Sequence, residues 1–149
     1  MSKVALLDVN VMVALFEPDH VHHELAHGWF ADNRAAGWAT CPVTETGLVR
    51  VLSNPRVREG GFAVSDVVDR LRRFRSDASH HWWDTGISLT DARLFQLGAI
   101  RGHRQVTDLH LAGLAHLKGG KLVTFDRSVV WSAVVGARPS LVEVISASE

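Results

Sequence analysis

The sequence predicts an α/β domain with a mostly parallel central sheet, and two observations lead to this prediction. Short apolar runs, which are typical of buried strands, alternate along the chain with amphipathic segments that have the helical period. The helical segments separate one strand from the next, which is the connection that parallel neighbours require. The chain of 149 residues has the length of one domain, so we expect a single domain over residues 1–149.

The first predicted elements are one buried strand and two helices. Residues 4–7 form an uninterrupted apolar run, which predicts a strand buried on both faces. A short helix over about residues 11–16 follows, and Pro18 ends it. Apolar residues at helical spacing then predict an amphipathic helix over residues 22–35, which Gly37 stops.

The middle of the chain continues this alternation. Residues 38–41, WATC, predict a second short strand. A helix is predicted to start at Thr44 and to close at residues 54–55, where an Asn-Pro pair stands. Ser65 is the expected cap of a further helix over residues 65–74, whose arginines face outward.

The last part of the chain adds two predicted helices and two predicted strands. Residues 80–84 fit either a short strand or a loop. Residues 89–102 predict a capped helix that runs into a glycine. Residues 108–118 predict a deeply buried helix that starts at a Thr-Asp cap and ends at two glycines. Residues 121–125 and 141–145 predict the remaining strands.

The composition indicates the cellular compartment more clearly than it indicates a class of binding partner. Sixteen Lys and Arg balance sixteen Asp and Glu, so the net charge indicates no class of partner. Cys41 is the one cysteine and cannot form an intrachain disulfide, which is typical of a reducing compartment. The apolar run near the N-terminus is too short to span a bilayer, lacks a basic flank and contains Asp8. We therefore expect a cytoplasmic protein that does not enter a membrane.

Three carboxylates follow predicted strands. Asp8 comes directly after the first strand, Glu45 lies a few residues after the second, and Asp126 directly follows residues 121–125. In open parallel sheets the functional crevice lies beyond the carboxyl ends of the strands. These three side chains are therefore expected at one edge of the sheet.

A length argument brings Asp108 to the same edge. The helix that Asp108 opens, residues 108–118, is roughly 17 Å long at about 1.5 Å per residue. After the glycine turn, the strand over residues 121–125 returns about 16 Å at roughly 3.3 Å per residue. The two lengths nearly cancel, so Asp108 and Asp126 should be neighbours.

Four converging carboxylates predict a metal site. Clustered carboxylates repel one another, and a hard divalent cation such as Mg²⁺ or Mn²⁺ is the usual compensation. Such a cation neutralises charge on a phosphoryl group and lowers the pKa of a bound water. Thr107 and Asn10 stand beside two of the carboxylates and are suited to hydrogen-bond them. Each acidic residue alone is better explained as a helix cap or a turn residue, and only their convergence on one edge favours a metal site. Glu45 has the weakest pattern, because the helix dipole favours a glutamate in the first turn anyway.

Four stretches taken together, LLDVNV, TETGLVRVLSNP, VTDLHLAGLA and KLVTFDR, resemble the PIN-domain ribonucleases, specifically the VapC-type toxins of bacterial toxin–antitoxin pairs. The resemblance covers essentially the whole chain, as one PIN domain. It implies an α/β/α sandwich and a Mg²⁺- or Mn²⁺-dependent endoribonuclease. The catalytic and metal-binding residues that it implies are Asp8, Glu45, Asp108 and Asp126, accompanied by the polar residues Asn10 and Thr107.

The resemblance also implies partners. It implies a homodimer, a small VapB-type antitoxin that blocks the site, and a structured RNA substrate such as tRNA or ribosomal RNA. Arg127, beside Asp126, is the basic residue nearest the predicted site and is our candidate for contacting RNA.

Two alternative functions remain open at this point. Residues 23–27, His23-Glu24-Leu25-Ala26-His27, match the H-E-x-x-H pattern of zinc metalloproteases, in which two histidines on one helix face bind Zn²⁺. The longer form of that motif is absent, and the hypothesis leaves the acidic edge unexplained. A non-catalytic module that binds RNA or a protein partner through the arginine-rich helix 66–75 is the second alternative.

Overall fold

A computed structural model describes residues 3–57, 60–84 and 86–147 of the chain. Within these ranges the strands form one sheet of five, all parallel, in the order β3-β2-β1-β4-β5. The strands are β1 Ala5–Leu7, β2 Trp38–Thr40, β3 His80–Trp82, β4 Lys121–Thr124 and β5 Val142–Val144. The ambiguous residues 80–84 thus contain an edge strand that pairs with β2.

In the described ranges, α-helices connect β1 to β2, β2 to β3 and β3 to β4, whereas 3₁₀ turns lie between β4 and β5. The α-helices are α1 Val9–Phe16, α2 His23–Asn33, α3 Pro42–Leu52, α4 Val64–Phe74 and α5 Val106–Leu117. Short 3₁₀ turns lie at Arg34–Ala36, Leu97–Ala99, His103–Gln105, Trp131–Ala133 and Pro139–Leu141. None of the helices in this part of the chain has the length and apolar character needed to cross a membrane.

Two hydrophobic cores lie on opposite faces of the sheet. In β1, the side chains of Ala5 and Leu7 pack with residues of α1 to α4, whereas Leu6 packs with α5 and with the segment around Val129. All three β1 residues are buried, which explains why this strand has no polar alternation. The layers are therefore helix, sheet and helix, as the sequence predicts.

The strand order creates a switch point between β1 and β4. The chain moves from β1 to β2 and β3 on one side, and β4 and β5 then lie on the other side of β1. At such a point the connecting segments diverge and leave a crevice beyond the strand ends. Asp8 follows β1 and Asp126 follows β4 by two residues, so both lie at this crevice.

Two glycines join α5 to β4. Gly119 has φ 69°, a left-handed conformation that favours glycine. A Cβ on Gly120 would lie 2.5 Å from the carbonyl oxygen of Val4. This tight turn lets β4 run directly back along α5 and returns the chain to the edge where α5 begins.

The prediction of a helix over residues 89–102 is wrong. Phe95 forms an isolated antiparallel bridge with Val134. The backbone N–H of Gln96 donates to the carbonyl of Ala133 at 2.8 Å. Backbone groups that a helix would pair internally therefore pair with a distant segment, which overrides the local helical pattern.

Three helices begin earlier than predicted. α1 begins at Val9 rather than near residue 11, because the Asp8 side chain accepts the Val9 N–H at 2.7 Å and serves as the N-cap. α3 begins at Pro42 rather than at Thr44, since proline is preorganised for the first helical position. α4 begins at Val64 after an Ala63 N-cap, so Ser65 lies inside the helix.

The expected Thr-Asp cap of α5 is also wrong. A 3₁₀ turn over His103–Gln105 runs directly into α5, whose N-cap is Gln105. Thr107 and Asp108 are therefore the second and third residues of the helix. The Asp108 side chain is left available for the crevice instead of capping the backbone.

Candidate active site

The crevice at the switch point is an open cleft of about 840 Å³. Three of the four predicted carboxylates line it: Asp8, Asp108 and Asp126. They come from the end of β1, the first turn of α5 and the segment after β4. The other polar residues of the wall are Asn10, His20, Thr46, Arg50 and Thr107.

The Thr124 hydroxyl links the Asp8 carboxylate, the Asn10 amide and the Asp126 backbone. The hydroxyl donates to Asp8 Oδ2 at 2.7 Å and accepts from Asn10 Nδ2 at 3.1 Å. It also accepts the backbone N–H of Asp126 at 3.0 Å. Thr124 is fully buried, so this hydroxyl has no access to water. It fixes Asp8 and the Asp126 backbone relative to each other.

Sequence reasoning missed Thr124. The available signal was a polar residue that closes the apolar strand β4 two positions before Asp126. Asn10 was predicted to orient ligands, and in the structure its Oδ1 also accepts the Phe125 N–H at 3.3 Å. Asn10 thus fastens the start of α1 to the end of β4.

The carboxylates of the cleft perturb one another. Burial raises the pKa of Asp8 above its ordinary value. Burial and the negative charges of Asp8 and Asp126 raise the pKa of Asp108 to about 7. Hydrogen bonds from the Ser128 hydroxyl and backbone N–H lower the pKa of Asp126. Among the three carboxylates, Asp108 is therefore the one that most readily holds a proton near neutral pH in the metal-free cluster.

The chemistry of these donors fits a hard divalent cation. Asp8, Asp108 and Asp126 offer carboxylate oxygens on a solvent-open cleft, and a cation would replace the proton that offsets their repulsion. The residues described do not already include three or more His, Cys, Asp or Glu side chains arranged as metal ligands. Cation binding would thus require these side chains to adjust.

Glu45 lies outside the cleft in this structure. Its Oε2 accepts a hydrogen bond from the Thr40 hydroxyl at 2.6 Å and pairs with Arg75 Nε at 3.2 Å. Burial, and next the charge of Arg75, lower the pKa of His80 to about 4, so neutral His80 can donate from Nε2 to Thr40 at 2.7 Å. These contacts hold Glu45 beside α4, and its role in the metal site stays a prediction.

Comparison with known proteins identifies the family of this fold. The PIN domain family model matches residues 5–134. This chain belongs to the PIN-domain family. The PIN domain spans all five helices and the strands β1 to β4.

Three curated relatives of this PIN-domain chain, all from Mycobacterium tuberculosis, are named as ribonucleases. Ribonuclease VapC39 is 43% identical over 141 residues, which cover 95% of this chain and 99% of the relative. Ribonuclease VapC38 is 44% identical over 126 residues, covering 85% of this chain and 87% of the relative. Ribonuclease VapC44 is 40% identical over 133 residues, which cover 89% of this chain and 93% of the relative. The predicted resemblance to VapC-type proteins is confirmed.

A solved structure supports the fold of this PIN domain. The crystal structure of VapC20 from Mycobacterium tuberculosis, described as a sarcin–ricin loop cleaving toxin, matches with a TM-score of 0.61. The match covers 91% of this chain and 99% of VapC20 at 15% sequence identity. The predicted PIN-like α/β/α fold is confirmed.

The H-E-x-x-H histidines contact the C-terminal end of α1 in this PIN domain. His23 Nδ1 is 2.7 Å from the carbonyl oxygen of Ala14, and His27 Nε2 is 3.1 Å from that of Leu15. A carbonyl oxygen only accepts, so each of these ring nitrogens donates. Glu24 is exposed. The histidine pair caps a helix, and the structure gives the zinc metalloprotease hypothesis no support.

Arg70 of the arginine-rich helix satisfies the next carbonyl of α1. Its guanidinium donates to the Phe16 carbonyl at 2.7 Å and lies over the Phe16 ring at 4.8 Å. Arg75 pairs with Glu45 and lies over the Trp82 ring at 4.6 Å. These two arginines therefore have structural contacts within the protein.

The remaining predicted residues lie near the cleft. Thr107 is exposed on its wall. Arg127 is exposed next to Asp126, and its side chain makes no hydrogen bond or ion pair with another residue in the described ranges. The assignment of Arg127 to RNA contact stays a prediction.

Because the pKa of Asp108 is raised, we expect the stability of the metal-free PIN domain to depend on pH. The pKa of Asp108 is raised from 3.8 to about 7 on folding, so the folded chain binds this proton more tightly than the unfolded chain. Stability is therefore lost as the pH rises from the ordinary carboxyl pKa towards 7, and the loss persists above 7. Asp108→Asn removes this penalty. After allowance for solvent screening, we expect Asp108→Asn to raise the free energy of unfolding at pH 7.5 by roughly 1 kcal/mol, which corresponds to an increase of about 2–4 °C in Tm.

Thermal unfolding followed by circular dichroism in EDTA measures this difference. The Tm of Asp108→Asn should exceed that of the wild type at pH 7.5, and the gap should shrink as the pH falls to 5. Parallel Tm profiles of the two proteins between pH 5 and 7.5 would contradict the Asp108 assignment.

Proposed function

We propose that this chain is a divalent-metal-dependent endoribonuclease toxin whose site is built on Asp8, Asp108 and Asp126. The endoribonuclease class follows from its membership of the VapC-type ribonucleases. The observation that supports the site is the meeting of three carboxylates from distant parts of the chain in the switch-point cleft. Mg²⁺ or Mn²⁺ is the cation that carboxylate oxygens favour.

Different contacts hold the Asp8 and Asp126 side chains in place. Asp8 is fixed by the Thr124 hydroxyl and by the first N–H of α1. Asp126 is fixed by Ser128. Asp108 would give up its proton to a bound cation, and all three side chains could then serve as its ligands. A divalent cation bound there would neutralise phosphoryl charge and activate a water for attack on an RNA phosphodiester. Glu45 joins this site only if it leaves Arg75, so we propose it as an outer ligand or a water-positioning residue.

The proposed substrate is a structured RNA. The cleft is open, and Arg50 on its wall is exposed and makes no ion pair with another residue that the structure describes. Arg127 lies at the end of β4. Both arginines are suited to phosphate contacts, which dominate affinity for nucleic acid. We propose a loop of tRNA or of ribosomal RNA as the target class; the VapC20 toxin of the same fold is described as cleaving the sarcin–ricin loop.

We further propose the assembly that is general among VapC-type toxins. The chain would form a homodimer in the cytoplasm, and a small VapB-type antitoxin would block its cleft. Light scattering of the protein purified alone and with the product of an adjacent small reading frame measures both associations.

Removal of divalent metal is expected to stop RNA cleavage. The protein treated with EDTA should not cut a panel of tRNAs and ribosomal RNA hairpins, because the charge of its carboxylates then repels phosphate. Addition of Mg²⁺ or Mn²⁺ in excess over EDTA should restore cleavage, read as fragments on a denaturing gel. Cleavage that persists in EDTA contradicts the metal proposal. RNA binding without cleavage in any divalent ion would favour the binding-module alternative.

A further inference from the structure

His20 is a wall residue of the cleft that the proposed chemistry does not use. It lies between α1 and α2 and lines the cleft together with Asp8, Asn10 and Asp126. Its backbone N–H donates to the Glu17 carbonyl at 3.0 Å, and its own carbonyl accepts the N–H at the start of α2 at 3.0 Å. The loop therefore holds His20 in a defined place.

One ring nitrogen of His20 is already occupied. Its Nδ1 accepts the backbone N–H of His22 at 3.0 Å. A nitrogen that accepts a hydrogen bond carries no proton, so the proton of the neutral ring is on Nε2. Nε2–H has no acceptor among the described residues. His20 thus presents a single hydrogen-bond donor.

The hydrogen bond at Nδ1 favours the neutral form of the ring. Protonation of Nδ1 would place its proton against the His22 N–H and break that hydrogen bond. Burial lowers the pKa of His20, and the neighbouring His22 adds to the decrease while Glu17 opposes it. A neutral ring does not form an ion pair with Asp8 or Asp126, so these carboxylates stay available to a cation.

We propose that His20 contacts the substrate directly, its Nε2–H donating to a phosphate oxygen of the RNA strand that lies over the carboxylates. This inference rests on the proposed function. Phosphate oxygens are strong acceptors, and a negatively charged strand above three carboxylates needs donors on the wall. His20 supplies such a donor without adding a positive charge that would compete with the metal.

Steady-state cleavage of the RNA that the wild type cuts fastest in the panel tests this contact. His20→Ala should raise KM about 10- to 100-fold, the loss expected for one hydrogen bond to a charged group, and leave kcat nearly unchanged. His20→Gln keeps an N–H donor at the ε position and should recover much of the lost affinity. His81→Ala is the matched control, because His81 is an exposed histidine outside the cleft.

Two further measurements separate this contact from other roles. The affinity for Mn²⁺, measured by calorimetry, should be equal in His20→Ala and the wild type, and a loss in the variant would make His20 a metal ligand instead. The same comparison of KM is repeated with RNA that carries 2′-deoxy substitutions. If wild type and His20→Ala then have equal KM, His20 contacts a 2′-hydroxyl, and the phosphate assignment is overturned.

Failure of the inference and failure of the proposed function give different results. A wild type that cleaves no RNA in Mg²⁺ or Mn²⁺ contradicts the proposed function. A wild type that cleaves RNA while His20→Ala matches His81→Ala in KM contradicts the inference about His20 alone.

Discussion

Asp8→Asn is expected to abolish RNA cleavage while the protein still folds. Asparagine is as good an N-cap as aspartate, so the start of α1 should be preserved. The substitution removes the negative charge that the buried Asp8 carboxylate offers to a cation. Loss of an outer partner of a metal ligand typically costs about 10- to 100-fold, and we expect loss of a ligand itself to exceed that range.

Initial cleavage rates in saturating Mg²⁺ and Mn²⁺ measure this effect, with circular dichroism to verify the fold. Asp32→Asn is the matched control, because Asp32 is an exposed aspartate on α2 outside the cleft. Wild-type rates in Asp8→Asn would show that the site assignment is wrong.

Thr124→Val is expected to lower both stability and activity. Valine has nearly the same shape but cannot donate to Asp8 or accept from Asn10 and from the Asp126 N–H. Thr124 is fully buried, so water cannot replace these hydrogen bonds. Unsatisfied buried groups cost about 1–3 kcal/mol each, and we expect the free energy of unfolding to fall by roughly 3 kcal/mol. Cleavage should fall about 10- to 100-fold, because Asp8 loses the group that orients it.

Thr124→Ser separates the hydroxyl from the methyl group. Serine keeps the three hydrogen bonds, so it should retain most of the activity and lose only the smaller packing contribution. The free energy of unfolding in urea and the cleavage rates of the two variants show whether the hydroxyl or the methyl group of Thr124 supports the site. A Thr124→Ser protein as inactive as Thr124→Val would mean that packing, rather than the hydroxyl, supports the site.

The sequence was sufficient to predict where three carboxylates meet. Asp8 directly follows β1, Asp126 follows β4 by two residues, and the position of Asp108 follows from the lengths of one helix and one strand. These inferences use local pattern and regular geometry, which a single sequence contains. The position of Glu45 near the start of its helix was also predicted, but Arg75, which directly follows α4, pairs with its side chain outside the cleft.

Contacts between distant residues explain what was missed. Thr124 reaches Asp8 across 116 positions of the chain, and no local pattern reports such a contact. Residues 89–102 have a helical pattern, but pairing of Phe95 with Val134 determines their conformation. The same limit applies to His23 and His27, whose short motif fits a metalloprotease until their contacts with α1 are known.

The separation of Asp8 from Thr124 and Asp126 has a consequence for the time at which activity begins. Asp8 is synthesised well before its buried partner Thr124 and the third carboxylate, Asp126, which follow 116 and more positions later. A chain still growing on the ribosome folds from its N-terminal part and lacks β4 until residues 121–124 have been made. We therefore expect a nascent chain to be unable to cut RNA until residues 121–126 have been made and β4 has paired with β1.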